Sequence, residues 1–352
     1  MKQALLAVTQ GCTGGVNIGD YIQALAAKQF LKDADVFIER ETELASYDGE
    51  PVKMIMNGWY MNHPENWPPS SKIHPLYVAL HINKSSLPRF LEKESLSYFK
   101  KYEPIGCRDI NSQKLLEGKG IKAYFSGCLT LTLGYKYKSQ KRTNKVYVVE
   151  PPTIESGLYC RNKWESLLTM VYLLFHFQDV YSISQKKGQR GIKSLFYNSF
   201  FLKQYSKVFD RKMLVDAEYV NQYNEEIIKE HPTNEALLTY AEQLVKMYAE
   251  AACVITSRIH CALPCLGLET PVIFINDVRM HKNSADRLGG IISLFNVISW
   301  DGFKLLSNCQ SPKKICKQNF PNNKTGWKDI ARKLIDVCLK FANDEHSSFH
   351  RQ

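Results

Sequence analysis

Arg258 and His260, two positions apart, carry the most chemistry in this sequence. In residues 253–275 (CVITSRIHCALPCLGLETPVIFI) a short apolar run enters Ser257-Arg258-Ile259-His260, and a helical pattern follows. Arginine presents a planar fork of donors to carboxylate or phosphate. Histidine exchanges protons near neutral pH or donates to an anion. A helix N-terminus beside them adds free N–H groups and partial positive charge. Arg258 is therefore the candidate anion clamp, His260 the candidate acid–base group, and Ser257 a neighbouring substrate contact. The alternative is an arginine paired with a carboxylate and a histidine satisfying a loop carbonyl.

Two further segments offer partners. Residues 11–31 (GCTGGVNIGDYIQALAAKQFL) read as a glycine-bearing loop opening a helix, with Asn17, Gly19 and Asp20 at the opening. Gly14, Gly15 and Gly19 let backbone approach a ligand closely. Neither GxGxxG nor the Walker lysine pattern is present, so no NAD or ATP site is expected. Asp20 has two readings, orienting or deprotonating a hydroxyl, or capping. Residues 57–83 hold Trp59, Tyr60, His63, Trp67, His74 and His81 among four prolines. Trp59 and His81 are the candidate sugar contacts there. The competing reading is a proline-rich cover packed on a sheet edge.

These residues need a scaffold, and the pattern suggests an α/β one. Apolar runs at 4–8, 36–38, 53–57, 77–82, 105–108 and 123–125 alternate with helical patterns at 18–31, 89–101 and 110–118. Such alternation argues for parallel sheets covered on both faces. After a polar basic stretch at 136–145 the pattern restarts. It predicts strands at 145–150, 180–184, 253–256 and 271–275 and helices at 162–177, 217–230, 233–250 and 325–342. A chain of 352 residues exceeds the roughly 250–300 that one core fills. Two domains are expected, 1–137 and 144–305, with a tail at 306–352 whose helix at 325–342 closes the structure.

Composition narrows the class. Hydrophobic residues make up 44% and charged residues 23%, which excludes a disordered or collagen-like chain. The apolar stretch at 167–177 is shorter than the roughly 20 residues of a membrane span. The first apolar run is too short for a signal peptide, so a cytoplasmic protein is expected. Ten scattered cysteines form no CxxC pair and no zinc-type cluster, so buried reduced thiols are expected and no metal.

The net charge of +11 is concentrated. Residues 186–212 hold eight bases and one acid, interleaved with Phe196, Tyr197, Phe200, Phe201, Tyr205 and Phe209. Such a stretch suits an anionic membrane surface. Nucleic-acid surfaces share the composition, but no nucleic acid partner is expected. The plain alternative is a helix with its aromatics in the core and its lysines in water.

The run TSRIHCALPCLGLETPVIFI, the early NIGD and IGCRDINSQKLL at 105–116 together resemble the polysaccharide pyruvyl transferase family over roughly residues 10–300. The resemblance implies a GT-B-type fold of two Rossmann-like domains facing across a cleft. It implies transfer of a pyruvyl group from phosphoenolpyruvate to a sugar of a cell-surface polysaccharide, or of its lipid-linked precursor, as a ketal. Phosphoenolpyruvate is then the donor substrate, with no cofactor. Arg258 and His260 fall on the family's donor site, and Gly19 and Asp20 on its early glycine–aspartate pair. Arg142 and Arg161 are candidates for a further donor-binding base. A lipid-linked acceptor would place the protein at the inner membrane face. The runner-up is a nucleotide-sugar glycosyltransferase of the same fold, and the third reading is a non-catalytic glycan- or lipid-binding component.

Overall fold

The computed structural model describes residues 1–9, 15–31, 33–154, 163–279, 288–306 and 313–344. Two separate six-stranded sheets organise it. The first contains β1 (Lys2–Ala7), β3 (Ala34–Glu39), β4 (Val52–Tyr60), β5 (Ile73–Ile82), β6 (Ile105–Cys107) and β7 (Ala123–Phe125), in the order β3-β1-β4-β5-β6-β7. All its pairings are parallel. The second contains β8 (Val146–Val149), β9 (Glu218–Val220), β11 (Cys253–Thr256), β12 (Val272–Asp277), β13 (Asn296–Trp300) and β14 (Leu305–Leu306), in the order β14-β13-β12-β11-β8-β9. It is parallel except for the β13–β14 pair. Strands β8 and β11 are buried along their whole length, as parallel strands covered on both faces must be.

A shared helical layer lies between the sheets. Helices α1 (Ile18–Lys28), α9 (Asn234–Ala249), α10 (Ile259–Gly267) and α11 (Trp327–Asn343) contribute Ile22, Leu25, Leu244, Val245, Leu263, Leu266, Trp327 and Leu334 to one apolar cluster. Leu5 and Ile55 of the first sheet and Val149 and Val254 of the second join it. The layer is tight where residues 129–134 cross α10: a Cβ on Gly134 would collide with the Gly267 carbonyl. A small two-stranded sheet also joins the halves. β2 (Val16–Asn17) pairs antiparallel with β10 (Tyr223–Asn224), and Ile18 N–H donates to the Gln222 carbonyl at 2.9 Å. The opening of α1 is thereby fixed against the second half.

The outer face of the first sheet carries α2 (Lys93–Lys101) and α3 (Ile110–Glu117). Trp67 is buried there against Tyr60, Tyr77, Phe90 and Phe99. Most of the 57–83 segment is thus sheet and packed cover, not an exposed sugar platform. The outer face of the second sheet carries α4 (Lys163–Phe175), α5 (Phe177–Lys186), α6 (Ile192–Tyr205) and α7 (Arg211–Asp216). Residues 180–184, expected as a strand, lie inside α5, because Val180, Ile183 and Ser184 share one buried helix face. Residues 217–230, expected as one helix, form β9, β10 and α8 (Glu225–Glu230).

Phe200, Phe201, Tyr205 and Phe209 are buried in the core of the second sheet, with Phe196 and Tyr197 half-buried against it. The aromatics of 186–212 therefore build the protein interior and do not face a membrane. Helix α11 docks through Trp327, Ala331, Leu334 and Cys338, and Lys53 Nζ donates to the Phe341 and Asp344 carbonyls at its end. Cys261 and Cys265 are buried free thiols.

Candidate active site

The side chains that meet between the sheets come from carboxyl ends of parallel strands, where open α/β sheets place their ligand sites. From the first half, Asn17 caps α1 by accepting from Gly19 N–H at 3.1 Å. Gly19 has no side chain where one would crowd the second half: a Cβ there would stand 3.0 Å from His260 Nδ1. Asp20 follows, with Gln23 Nε2 donating to it at 3.0 Å and the Arg40 guanidinium forming an ion pair with it at 3.7 Å. Burial pushes the Asp20 carboxyl above its ordinary value, against the opposing pull of Arg40 and Arg108.

Arg40 follows β3. Its Nε donates to Glu41 at 2.8 Å, and its guanidinium lies 5.2 Å over the Trp59 ring at the end of β4. Arg108 follows β6, with its N–H on the Leu80 carbonyl at 2.8 Å. It is 1% exposed, and its Nε and Nη1 make no hydrogen bond among the described residues. Burial works against its charge and lowers its pKa. A buried cation with open donors is costly until an anion completes it.

The second half supplies Glu150, Arg258 and His260. Glu150 leaves β8 with φ +41°, a conformation that non-glycine residues adopt rarely. Its carboxylate accepts from Gln222 N–H at 2.7 Å, from Tyr223 N–H at 2.9 Å and from Arg258 Nε. Arg258 stands at the N-cap of α10, its N–H on Thr256 Oγ1 at 3.0 Å, with its side chain partly exposed. His260 lies in the first turn of α10.

Residues of both halves wall a cavity of about 230 Å³. Arg40, Arg108 and Arg258 line it with His260, and among the described residues Asp20 is the one carboxylate on its wall. Asn17, Trp59 and Asn62 complete the first-half side. Three guanidinium groups and a helix N-terminus suit a small, multiply charged anion, and His260 and Asp20 can move protons beside it.

A family model described as polysaccharide pyruvyl transferase matches residues 17–277. The chain belongs to the polysaccharide pyruvyl transferase family. It is a pyruvyltransferase enzyme, and every residue of the cavity wall lies inside the matched span. Among solved structures, a functionally uncharacterised protein from Klebsiella pneumoniae subsp. pneumoniae NTUH-K2044 is similar at 13% identity. The alignment covers 81% of this chain and 86% of that one, with a TM-score of 0.38. No curated protein matches.

In this pyruvyl transferase the structure brings Asn17, Asp20, Trp59, Arg258 and His260 to one cavity, with Gly19 packed behind His260. It does not bring His81 or Ser257. His81 is buried with Nδ1 2.6 Å from Asp109 Oδ2, and Asp109 also caps α3 through Ser112 N–H. The Ser257 hydroxyl is spent on the Glu150 carbonyl. Arg142 is a brace, donating to Thr270 Oγ1 and to the Ala249, Leu268 and Glu269 carbonyls. Gly14 and Arg161 lie outside the described residues. The bases that sequence reasoning missed are Arg40 and Arg108. Arg108 stood within the IGCRDINS run, directly after a short strand, and that position was the available signal. Nothing local marked Arg40 or Glu150.

Proposed function

We propose that the cavity binds phosphoenolpyruvate and that the enzyme joins its pyruvyl group to two hydroxyls of one sugar as a cyclic ketal. The observation that carries this is Arg108: wholly buried, on a cavity wall shared with Arg40 and Arg258, with Nε and Nη1 making no hydrogen bond among the described residues. Phosphoenolpyruvate bears a carboxylate and a phosphate within one small molecule, and both need such donors. In this reading the two sheets form a GT-B-type pair, with the acceptor on the first-half side. The donor carries its own leaving group, so no cofactor is required.

The chemistry has two stages. A sugar hydroxyl adds to the enol carbon while a proton reaches the methylene, which becomes a methyl group. A second hydroxyl of the same sugar then forms the other C–O bond, and phosphate leaves with the proton balance completed by the acid–base groups. His260 is the acid, serving the methylene or the departing phosphate. Asp20, made more basic by burial, takes the hydroxyl proton. Arg108 and Arg258 hold the donor's anionic groups, and Trp59 offers an apolar wall to the sugar. The acceptor is a sugar of a cell-surface polysaccharide or its lipid-linked precursor, and the enzyme works in the cytoplasm beside the inner membrane face.

Incubation with phosphoenolpyruvate and lipid-linked or free glycans tests this. Phosphate release matched by a mass gain of one pyruvyl ketal supports it. Turnover of nucleotide sugars instead would favour the glycosyltransferase reading.

A further inference from the structure

Helix α4 turns a broad apolar face to solvent. Thr169 is its one buried residue. Its inward side is mixed: Tyr172 and Leu173 pack on the core of the second sheet, while Glu165 meets Lys203 at 3.0 Å and Gln204 Nε2 at 2.7 Å, and Ser199 Oγ donates to the Thr169 carbonyl at 3.0 Å. Its outward side is apolar, with Trp164 72%, Leu174 79% and Phe175 80% exposed and Leu167, Leu168 and Val171 beside them. Phe177 and Tyr181 of α5 and Ile192 of α6 are exposed as well. So broad an apolar face toward solvent needs an apolar occupant.

Charge decides which occupant. Residues 163–212 contain nine bases and three acids. The acids are engaged: Glu165 with Lys203, Asp179 with Arg211 at 3.0 Å, and Asp210 capping α7 through Met213 N–H. Lys163, Arg190 and Lys193 are exposed and make no ion pair among the described residues. An apolar strip rimmed by open cations matches an anionic lipid surface, where rings and aliphatic chains enter the interface and bases meet headgroup phosphates. A second copy of the chain would bring the same cations against one another, which disfavours self-association through this face. No helix among the described residues is long and apolar enough to cross a membrane, so the contact would lie in the interface.

We propose that the outer face of α4, with the exposed ends of α5 and α6, docks the enzyme on an anionic bilayer. Lys187 and Gln189, just before Arg190, line a hollow of about 350 Å³ that also includes Glu150 and Arg258. A glycan held on a membrane lipid would therefore reach the cavity without leaving the surface. The inference deepens the lipid-linked acceptor reading, yet vesicle binding is read without turnover, so either can fail alone.

The test is co-sedimentation of the full chain with phosphatidylcholine vesicles, with and without phosphatidylglycerol, at low and high salt. Binding is expected to the anionic vesicles at low salt, with Trp164 fluorescence shifting blue. Leu174→Glu/Phe175→Glu should abolish it, and Arg190→Glu/Lys193→Glu should weaken it about tenfold or more. Both double variants change exposed side chains, so circular dichroism and transfer to a soluble glycan should be unchanged. The proposal is overturned if wild-type protein stays in the supernatant at low salt or if the Leu174/Phe175 variant binds as well as wild type. It is equally overturned if the wild type is a dimer that this variant converts to a monomer.

Discussion

Gly19 of the first half lies flush against the His260 ring of the second, with 3.0 Å between an imagined Cβ and Nδ1. The two halves thus meet at the proposed acid, and the helix that presents Asp20 also sets where the imidazole stands. Gly19→Ala should displace His260 by a few tenths of an ångström and leave the fold intact. Turnover should fall about tenfold, with donor affinity nearly unchanged. Comparing kcat with the donor dissociation constant checks this, and an equal loss in both would point to general disruption.

Arg108 separates function from stability. Arg108→Met removes a buried cation whose Nε and Nη1 have no hydrogen-bond partner among the described residues, so stability in the absence of ligand should stay within about 1 kcal/mol of wild type or rise. Donor binding should fall by about 2 kcal/mol or more. Thermal unfolding with and without phosphoenolpyruvate reads both effects. A strongly destabilised variant would show that Arg108 is a structural cation.

Much of this site was legible because it is local in the chain. Ser257 to His260 join a strand end to a helix start within four residues, and Asn17 to Asp20 do the same. Arg40, Arg108 and Glu150 leave three different strands, and only sheet order brings them together. Residues 180–184 misled because Val180 and Ile183 fit an apolar strand as well as a helix face. The charged aromatic stretch misled because interleaved aromatics look alike whether they point into a core or toward a membrane. The exposed apolar face of α4 became readable only once Tyr172 and Leu173 were seen to supply its inward apolar contacts.

Glu150 holds Arg258, a residue of the cavity wall, through Nε. Glu150→Gln keeps an oxygen for the Gln222 and Tyr223 N–H groups but removes the charge that orients the guanidinium. The donor KM should rise about fivefold to tenfold, with a smaller change in kcat. Arg258→Ala should cost more, about 2 kcal/mol of donor binding. Steady-state kinetics on both variants check the order, and an unchanged KM in Glu150→Gln would remove Glu150 from donor positioning.

Asp20 gives a pH signature. Its carboxyl titrates above the ordinary aspartate value of about 3.9, chiefly because it is buried. The folded protein therefore binds this proton more tightly than the unfolded chain does. Asp20's contribution to stability is full below the ordinary aspartate range and falls as pH rises through the folded pKa. The stability of Asp20→Asn relative to wild type should accordingly increase over that interval, as denaturant unfolding at several pH values would show. The acid limb of the kcat profile should also lie above the ordinary aspartate value and disappear in the variant.

Calorimetric titration with phosphoenolpyruvate tests the central claim most directly. The account predicts one donor molecule bound per chain by the wild type, binding weakened about thirtyfold in Arg258→Ala by the loss of about 2 kcal/mol, and comparable loss in Arg108→Met. No binding by the wild type, or wild-type affinity in both variants, would contradict it.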